Sequence, residues 1–111
     1  MLRFLFLAFF MMFANITNAR VNLSDLVGYQ VLYQGYITGY MDGNSLSGKF
    51  KKNWEFEGCE WDRAIFLDEQ YVVYCEEYNY TYSYHPEAII LTNGRDSIMV
   101  VDNTKFKIRL R

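Results

Sequence analysis

Few side chains in this 111-residue sequence are equipped for chemistry. The one histidine, His85, precedes the one proline, Pro86. A histidine can serve as a general base, but no serine or cysteine stands in a motif that would make it the nucleophile. Carboxylates are plentiful: Glu55, Glu57, Glu60, Asp62, Asp68, Glu69, Glu76 and Glu77. Two such acids can hydrolyse a glycoside. Among so many, a pair carries little information, and a small domain leaves little room for a deep, dry cleft. Zinc would need more ligands than two cysteines and one histidine. Asp42 and Asn44 are oxygen donors, but residues 42–48 lack the spacing and the carboxylates of a calcium loop and read as a turn. The chain is expected to be non-catalytic and to carry no cofactor or metal.

Residues 75–86 read CEEYNYTYSYHP. Tyr78, Tyr80, Tyr82 and Tyr84 fall on every second residue, so a regular strand sends all of them to one face. Asn79, Thr81 and Ser83 take the other face, which is small and polar and expected to be wet. The plainer reading packs the tyrosines over the core with their hydroxyls at the rim. The sharper reading is an exposed aromatic shelf, because tyrosine and tryptophan offer large contact area for little rotamer loss. Trp61, flanked by Glu60 and Asp62, also lacks an obvious core partner. Val73 and Cys75 are odd-numbered and the tyrosines even. A buried row therefore needs either Tyr74 in the core or a bulge at Glu76 and Glu77.

These residues need an element frame and a compartment. Residues 1–19 have the layout of a secretory signal peptide: Arg3, then a run rich in Phe, Leu and Met, then a polar stretch ending at Ala19. An apolar run of about 11 residues spans roughly 16 Å, short of the roughly 30 Å of a bilayer core. The expectation is a periplasmic or secreted chain without a membrane span after cleavage, and a single domain over residues 20–111. Without Arg3, 10 Lys and Arg face 13 Asp and Glu. That balance argues against nucleic acid and anionic membranes as partners. Two cysteines in an oxidising compartment predict a Cys59–Cys75 disulfide, worth about 3 kcal/mol for a ring of about 17 residues.

Ser24 or Asp25 is a candidate cap for one short helical turn. From Val27, the odd positions Val27, Tyr29, Val31, Tyr33 and Ile37 alternate with wetter ones and predict a half-buried strand. Gly35 and Gly39 predict a bend or bulge within it. Phe50, Trp54 and Phe56 share the buried parity of a second strand ending at Gly58. Residues 63–67 and 71–74 predict a hairpin. A two-residue Asp68-Glu69 loop would set Cys59 opposite Tyr78, so the disulfide is not a simple cross-strand staple in that register. Residues 88–92, an Asn93-Gly94 turn and residues 97–101 form another hairpin. After Asp102-Asn103, Phe106 and Ile108 alternate with Lys105, Lys107 and Arg109. No stretch keeps a helical period. The fold class expected is all-β: a small meander barrel or sandwich of six to eight strands with one disulfide.

Charge is segregated along the chain. Between Glu55 and Glu77 lie eight acids and one base, Arg63; from Arg95 onward lie five bases and two acids. Acidic and basic strands can lie side by side, or the acidic segment can recognise a basic partner. Arg63 is a candidate centre for a carboxylate network. Phe56-Glu-Gly-Cys59, Arg63-x-Ile-x-Phe66, Tyr71-x-x-x-Cys75 and Tyr78-x-Tyr80-x-Tyr-x-Tyr84-x-Pro86 together resemble a group of short, secreted, uncharacterised proteins of Gram-negative bacteria. The resemblance covers roughly residues 54–91 and implies a periplasmic location and a β-rich fold, with no established activity to carry over. The expected role is a non-catalytic protein-binding factor: an inhibitor, an immunity protein or an envelope accessory. The contact surface would comprise Trp61, Arg63, Tyr78, Tyr80, Tyr82 and Tyr84. The alternative is a carbohydrate- or peptidoglycan-binding module using the same aromatics.

Overall fold

The computed structural model describes residues 21–42 and 54–111. The leader expected at residues 1–19, the domain start at Arg20, and the readings that fall on residues 43–53 lie outside these. A short 3₁₀ turn (Leu23–Leu26) precedes β1 (Gln30–Met41), β2 (Glu55–Cys59), β3 (Ala64–Leu67), β4 (Tyr71–Cys75), β5 (Asn79–Tyr84), β6 (Glu87–Thr92), β7 (Ser97–Val101) and β8 (Thr104–Arg109). The N-cap position of the 3₁₀ turn is Asn22, ahead of the Ser24 and Asp25 expected there.

Length gives β1 its role. At 12 residues it is long enough for two neighbours. Residues 30–36 pair with β6, and residues 37–41 pair with β3. Register shifts between Val31 and Tyr33 and between Ile37 and Gly39 mark where it bends. The result is a closed antiparallel barrel in the order β1-β3-β4-β8-β7-β6, with β2 and β5 paired apart from it as a two-stranded ribbon. The first half of β1 is less buried than its alternation suggests, with Val27 and Val31 both exposed. Val27 belongs to the preceding turn, and the core begins in earnest at Ile37.

The barrel interior is filled by Ile37, Ile65, Leu67, Val73, Ile90, Met99, Val101, Phe106 and Ile108, each at most 2% exposed. A six-stranded barrel is narrower than the eight-stranded kind that side chains just fill, so its lumen is core. The ribbon adds Phe56 and Cys59 of β2 to it. Phe56 of β2 is fully buried and meets Phe106 edge to face, with ring centroids 5.3 Å apart. Burying that ring contributes about 2–3 kcal/mol, enough to seat the ribbon on the barrel.

The β3–β4 turn shows how a demanding backbone is stabilised. Asp68 and Glu69 are both left-handed, with φ of 53° and 61°. Without glycine each costs about 1–2 kcal/mol. Asp68 offsets this by latching onto β1. Its carboxylate accepts the Tyr33 hydroxyl at 2.6 Å and the Tyr36 N–H at 3.0 Å, and the Glu69 N–H donates to Thr38 Oγ1 at 3.2 Å. Gly35 supplies the space, since a Cβ there would meet Asp68 Oδ2 at 2.2 Å. So Gly35 admits the latch, while the bend expected of it lies near Gly39.

The hairpin register is one residue off the two-residue expectation, with Leu67 paired to Tyr71 and Ala64 to Tyr74. Cys59 therefore faces Asn79 rather than Tyr78. Five residues back from Ala64 is Cys59, and five on from Tyr74 is Asn79, so both ladders belong to one long hairpin. Its inner half is β3–β4 in the barrel, and its outer half is the β2–β5 ribbon. The Asn93-Gly94 turn also differs from expectation. Thr92 pairs with Ser97, leaving a four-residue loop in which Asn93 Oδ1 accepts the N–H groups of Arg95 and Asp96 at 2.9 and 2.6 Å.

Two outcomes test these local devices. The Tyr33 hydroxyl and the Tyr36 N–H hold the Asp68 carboxyl below its ordinary range. A depressed carboxyl stabilises the fold above its unfolded value near pH 4 and loses that contribution as pH falls through its folded value. Asp68→Ala should lower the urea midpoint at neutral pH, and the gap from wild type should close as pH drops below about 4. Gly58 has φ +84°, and a Cβ there would lie 2.3 Å from the Asn79 carbonyl oxygen and 2.7 Å from the Thr81 nitrogen. Gly58→Ala should cost about 2 kcal/mol or more in urea unfolding.

Candidate functional site

The tyrosines face water. Tyr78, Tyr80, Tyr82 and Tyr84 are 75%, 77%, 58% and 66% exposed. This overturns the reading in which they cover the core. The inner face of β5 carries Asn79, Thr81 and Ser83, which are half-buried rather than wet. The parity difficulty disappears with it. Val73 and Cys75 point inward, the next odd residues do the same, and the even residues point out. Neither a buried Tyr74 row nor a switch at Glu76 and Glu77 is needed.

On the other ribbon strand the faces are set by Gly58. The left-handed glycine and a register shift between Phe56 and Gly58 put one extra residue in β5. Phe56 and Cys59, of opposite parity, are both buried as a result. The shift lies around Tyr82, whose hydroxyl donates to Glu55 Oε1 at 3.2 Å. Partial desolvation, with Glu55 beside it, raises that hydroxyl above its ordinary range. Glu55 pairs with Tyr84 across the ribbon, so the shelf is aromatic with an acidic margin.

The shelf ends in a cluster that alternation alone does not indicate. Trp54, expected in the buried row, is 37% exposed. Its ring meets His85 edge-on at 4.6 Å, and His85 lies 5.0 Å from Tyr36, itself exposed. Trp54 and His85 are left-handed at φ 65° and 46°, and the His85 N–H donates to the Trp54 carbonyl. His85 thus closes the ribbon end between two rings. No nucleophile is hydrogen-bonded to it among the described residues.

At the opposite end the long hairpin narrows to a waist. Cys59 and Cys75 form the disulfide, with Cα atoms 5.6 Å apart. It joins the last residue of β2 to the last of β4, tying ribbon to barrel. Trp61 is 45% exposed in the turn beside it. Arg63 was expected on a contact surface, but it is only 5% exposed. Its Nε donates to Asp42 Oδ1 at 2.6 Å, its Nη1 to the Gly58 carbonyl at 3.2 Å, and its Nη2 lies 3.5 Å from Glu60. The guanidinium also sits over the Tyr40 ring at 4.4 Å. Arg63 is therefore the centre of a carboxylate network, and Asp42 is a partner in it rather than a free loop donor.

Most of the acids considered for catalysis have structural partners, each a different one. Glu57 accepts the Tyr40 hydroxyl, and Asp62 pairs with Arg109 at 2.6 Å. Glu77 accepts the Lys107 N–H at 2.7 Å, and Asp68 holds the β3–β4 turn. The acidic waist and the basic strand β8 lie side by side, as the charge layout allows. A cleft of about 330 Å³ runs beside β8, but Lys105 and Lys107 face Glu77 and Asp96 across it. Among the described residues no group of three or more His, Cys, Asp or Glu is placed to hold a metal ion. No described helix is long and apolar enough to cross a membrane. Comparisons of the chain with protein-family models, curated proteins and solved structures give no match.

Burial, and then the Glu57 contact, push the Tyr40 hydroxyl up to about 12. A raised acid is held protonated by the fold, so its contribution is whole below the ordinary value near 10 and is lost as pH rises toward 12. An ultraviolet titration should show a late tyrosine step toward pH 12, and Tyr40→Phe should remove it. Arg63→Ala, which leaves Asp42 and Glu60 without their cation and the Gly58 carbonyl without its donor, should cost about 2 kcal/mol in urea unfolding, and Arg63→Lys should not restore donation to Asp42 and Gly58 together.

Proposed function

We propose that this protein is a non-catalytic, exported binding factor that engages another protein through the outward face of β5. One observation carries the reading: Tyr80, Tyr82 and Tyr84 of β5, with Tyr78 just before the strand, are each more than half exposed. Exposed apolar groups on this scale usually mark a contact surface. Tyrosine suits that role, because its ring gives up little rotamer freedom and its hydroxyl keeps a hydrogen bond at the rim. Trp61 and the acids around the waist extend the surface at one end, and Trp54 and Tyr36 at the other. Arg63 is withdrawn from the contact set and given to holding the waist.

The disulfide and the leader-like amino terminus support a periplasmic or secreted setting, where inhibitors, immunity proteins and envelope accessories operate. A second reading, a module for glycans or peptidoglycan, is favoured by the Trp54, His85 and Tyr36 cluster, since exposed rings are stacking platforms for sugars. Charge separates the two. A protein partner steered by the acidic margin binds less well in high salt.

A pull-down from envelope extract should recover a discrete protein at low salt and less of it at high salt. Tyr80→Ala with Tyr82→Ala should reduce recovery about tenfold without changing the urea midpoint, since both rings are exposed. Retention on purified peptidoglycan, with a change in tryptophan fluorescence and no protein recovered, would favour the glycan reading.

A further inference from the structure

The described residues leave the outer edge of β5 without a ladder. Among the described residues β5 pairs with β2 alone, and its remaining backbone groups form no second ladder. Edge strands are normally blunted by lysine, proline, inward charge or extreme shortness. β5 is a six-residue strand reading NYTYSY, with none of these. Its one protective feature is the bulge against β2, which bends the edge and limits any added strand to a short one. Threonine and tyrosine favour strands, so the segment is held ready for pairing.

The β2 side of the shelf is anionic. Glu55 and Glu57 of β2 lie beside Tyr82, whereas Glu60 and Asp62 are met by Arg63 and Arg109, and Glu76 and Glu77 line clefts with Lys107. The Arg63 charge is already met by Asp42 and Glu60. The field of Glu55 and Glu57 reaches the shelf, where it contributes to the raised Tyr82 hydroxyl.

We infer that β5 accepts a short extended segment of a basic partner protein as a third strand of the β2–β5 ribbon. Backbone hydrogen bonds to the open edge would supply affinity. Alternate arginine or lysine side chains of the partner would lie over the tyrosine rings beside the glutamates, satisfying cation–π and charge contacts together. This rests on the protein-binding reading above and adds to it the partner's conformation and charge.

Amide hydrogen exchange on the disulfide-bonded protein tests it, using a synthetic peptide of alternating arginine and valine and its glutamate counterpart. Saturating basic peptide should slow exchange at alternate β5 amides by about tenfold, and the acidic peptide should not. Glu55→Gln, which can still accept the Tyr82 hydroxyl, should weaken basic-peptide binding by about threefold. Absence of protection by the basic peptide, or equal protection by both peptides, would overturn the inference. So would protection that appears on concentrating the protein without peptide, which would assign the edge to a second copy. If the Tyr80→Ala, Tyr82→Ala variant loses its envelope partner while β5 amides stay unprotected, the edge inference falls and the shelf reading stands.

Discussion

The covalent link between Cys59 and Cys75 sits where one long hairpin changes neighbours. Inside the link, β3 and β4 belong to the barrel; outside it, among the described residues, β2 and β5 have only each other as ladder partners. A two-stranded ribbon is marginal by itself in water. Here the disulfide fixes one end, and the Phe56 ring in the barrel core anchors the ribbon near the other. Arg63 and the Asp62–Arg109 pair close the waist around the link. The disulfide restricts the unfolded chain by about 3 kcal/mol. That is a large share of the roughly 5–15 kcal/mol by which small domains are stable.

That arrangement explains why four tyrosines can face water on a chain this small. β5 turns its small residues, Asn79, Thr81 and Ser83, toward the protein and its large ones away. The inversion costs little, because β2 supplies Phe56 in place of the core side chains β5 lacks. The acidic segment, dense enough to suggest paired-carboxylate chemistry, is largely committed to holding turns and waist. Glu57 takes the Tyr40 hydroxyl, Glu60 the Arg63 guanidinium, and Asp68 the Tyr33 hydroxyl. Carboxylates in this chain act chiefly as acceptors that fix backbone geometry, and their surplus charge gives the shelf its sign.

Much of the architecture was legible in the sequence. Two apolar runs about the Asn93-Gly94 turn mark β6 and β7, alternation from Thr104 marks β8, and the pair of cysteines marks the disulfide. What alternation cannot give is which face is inside. A period of two places Tyr78, Tyr80, Tyr82 and Tyr84 together but is silent on whether they meet core or water. Parity also fails where the backbone turns left-handed. Gly58 sets Phe56 and Cys59 on the same side, and Trp54, in the same parity as Phe56, lies at a left-handed position and emerges half-exposed. The β3–β4 register escaped a two-residue turn because the ladder resumes one residue beyond Gln70. The position of Arg63 depends on Asp42 and Tyr40, distant in sequence, so no local pattern distinguishes it from an exposed base.

Photocrosslinking from residue 80 tests most directly the claim that the waist holds out a tyrosine surface for a protein partner. A photoreactive phenylalanine analogue would replace Tyr80, with the same analogue at Lys107 on the cationic strand β8 as the comparison. A discrete protein adduct from position 80, none from position 107, and loss of the first in a Cys59→Ser, Cys75→Ser background is the expected result. Equal adducts from both positions, or an adduct at position 80 that survives removal of the disulfide undiminished, would contradict it.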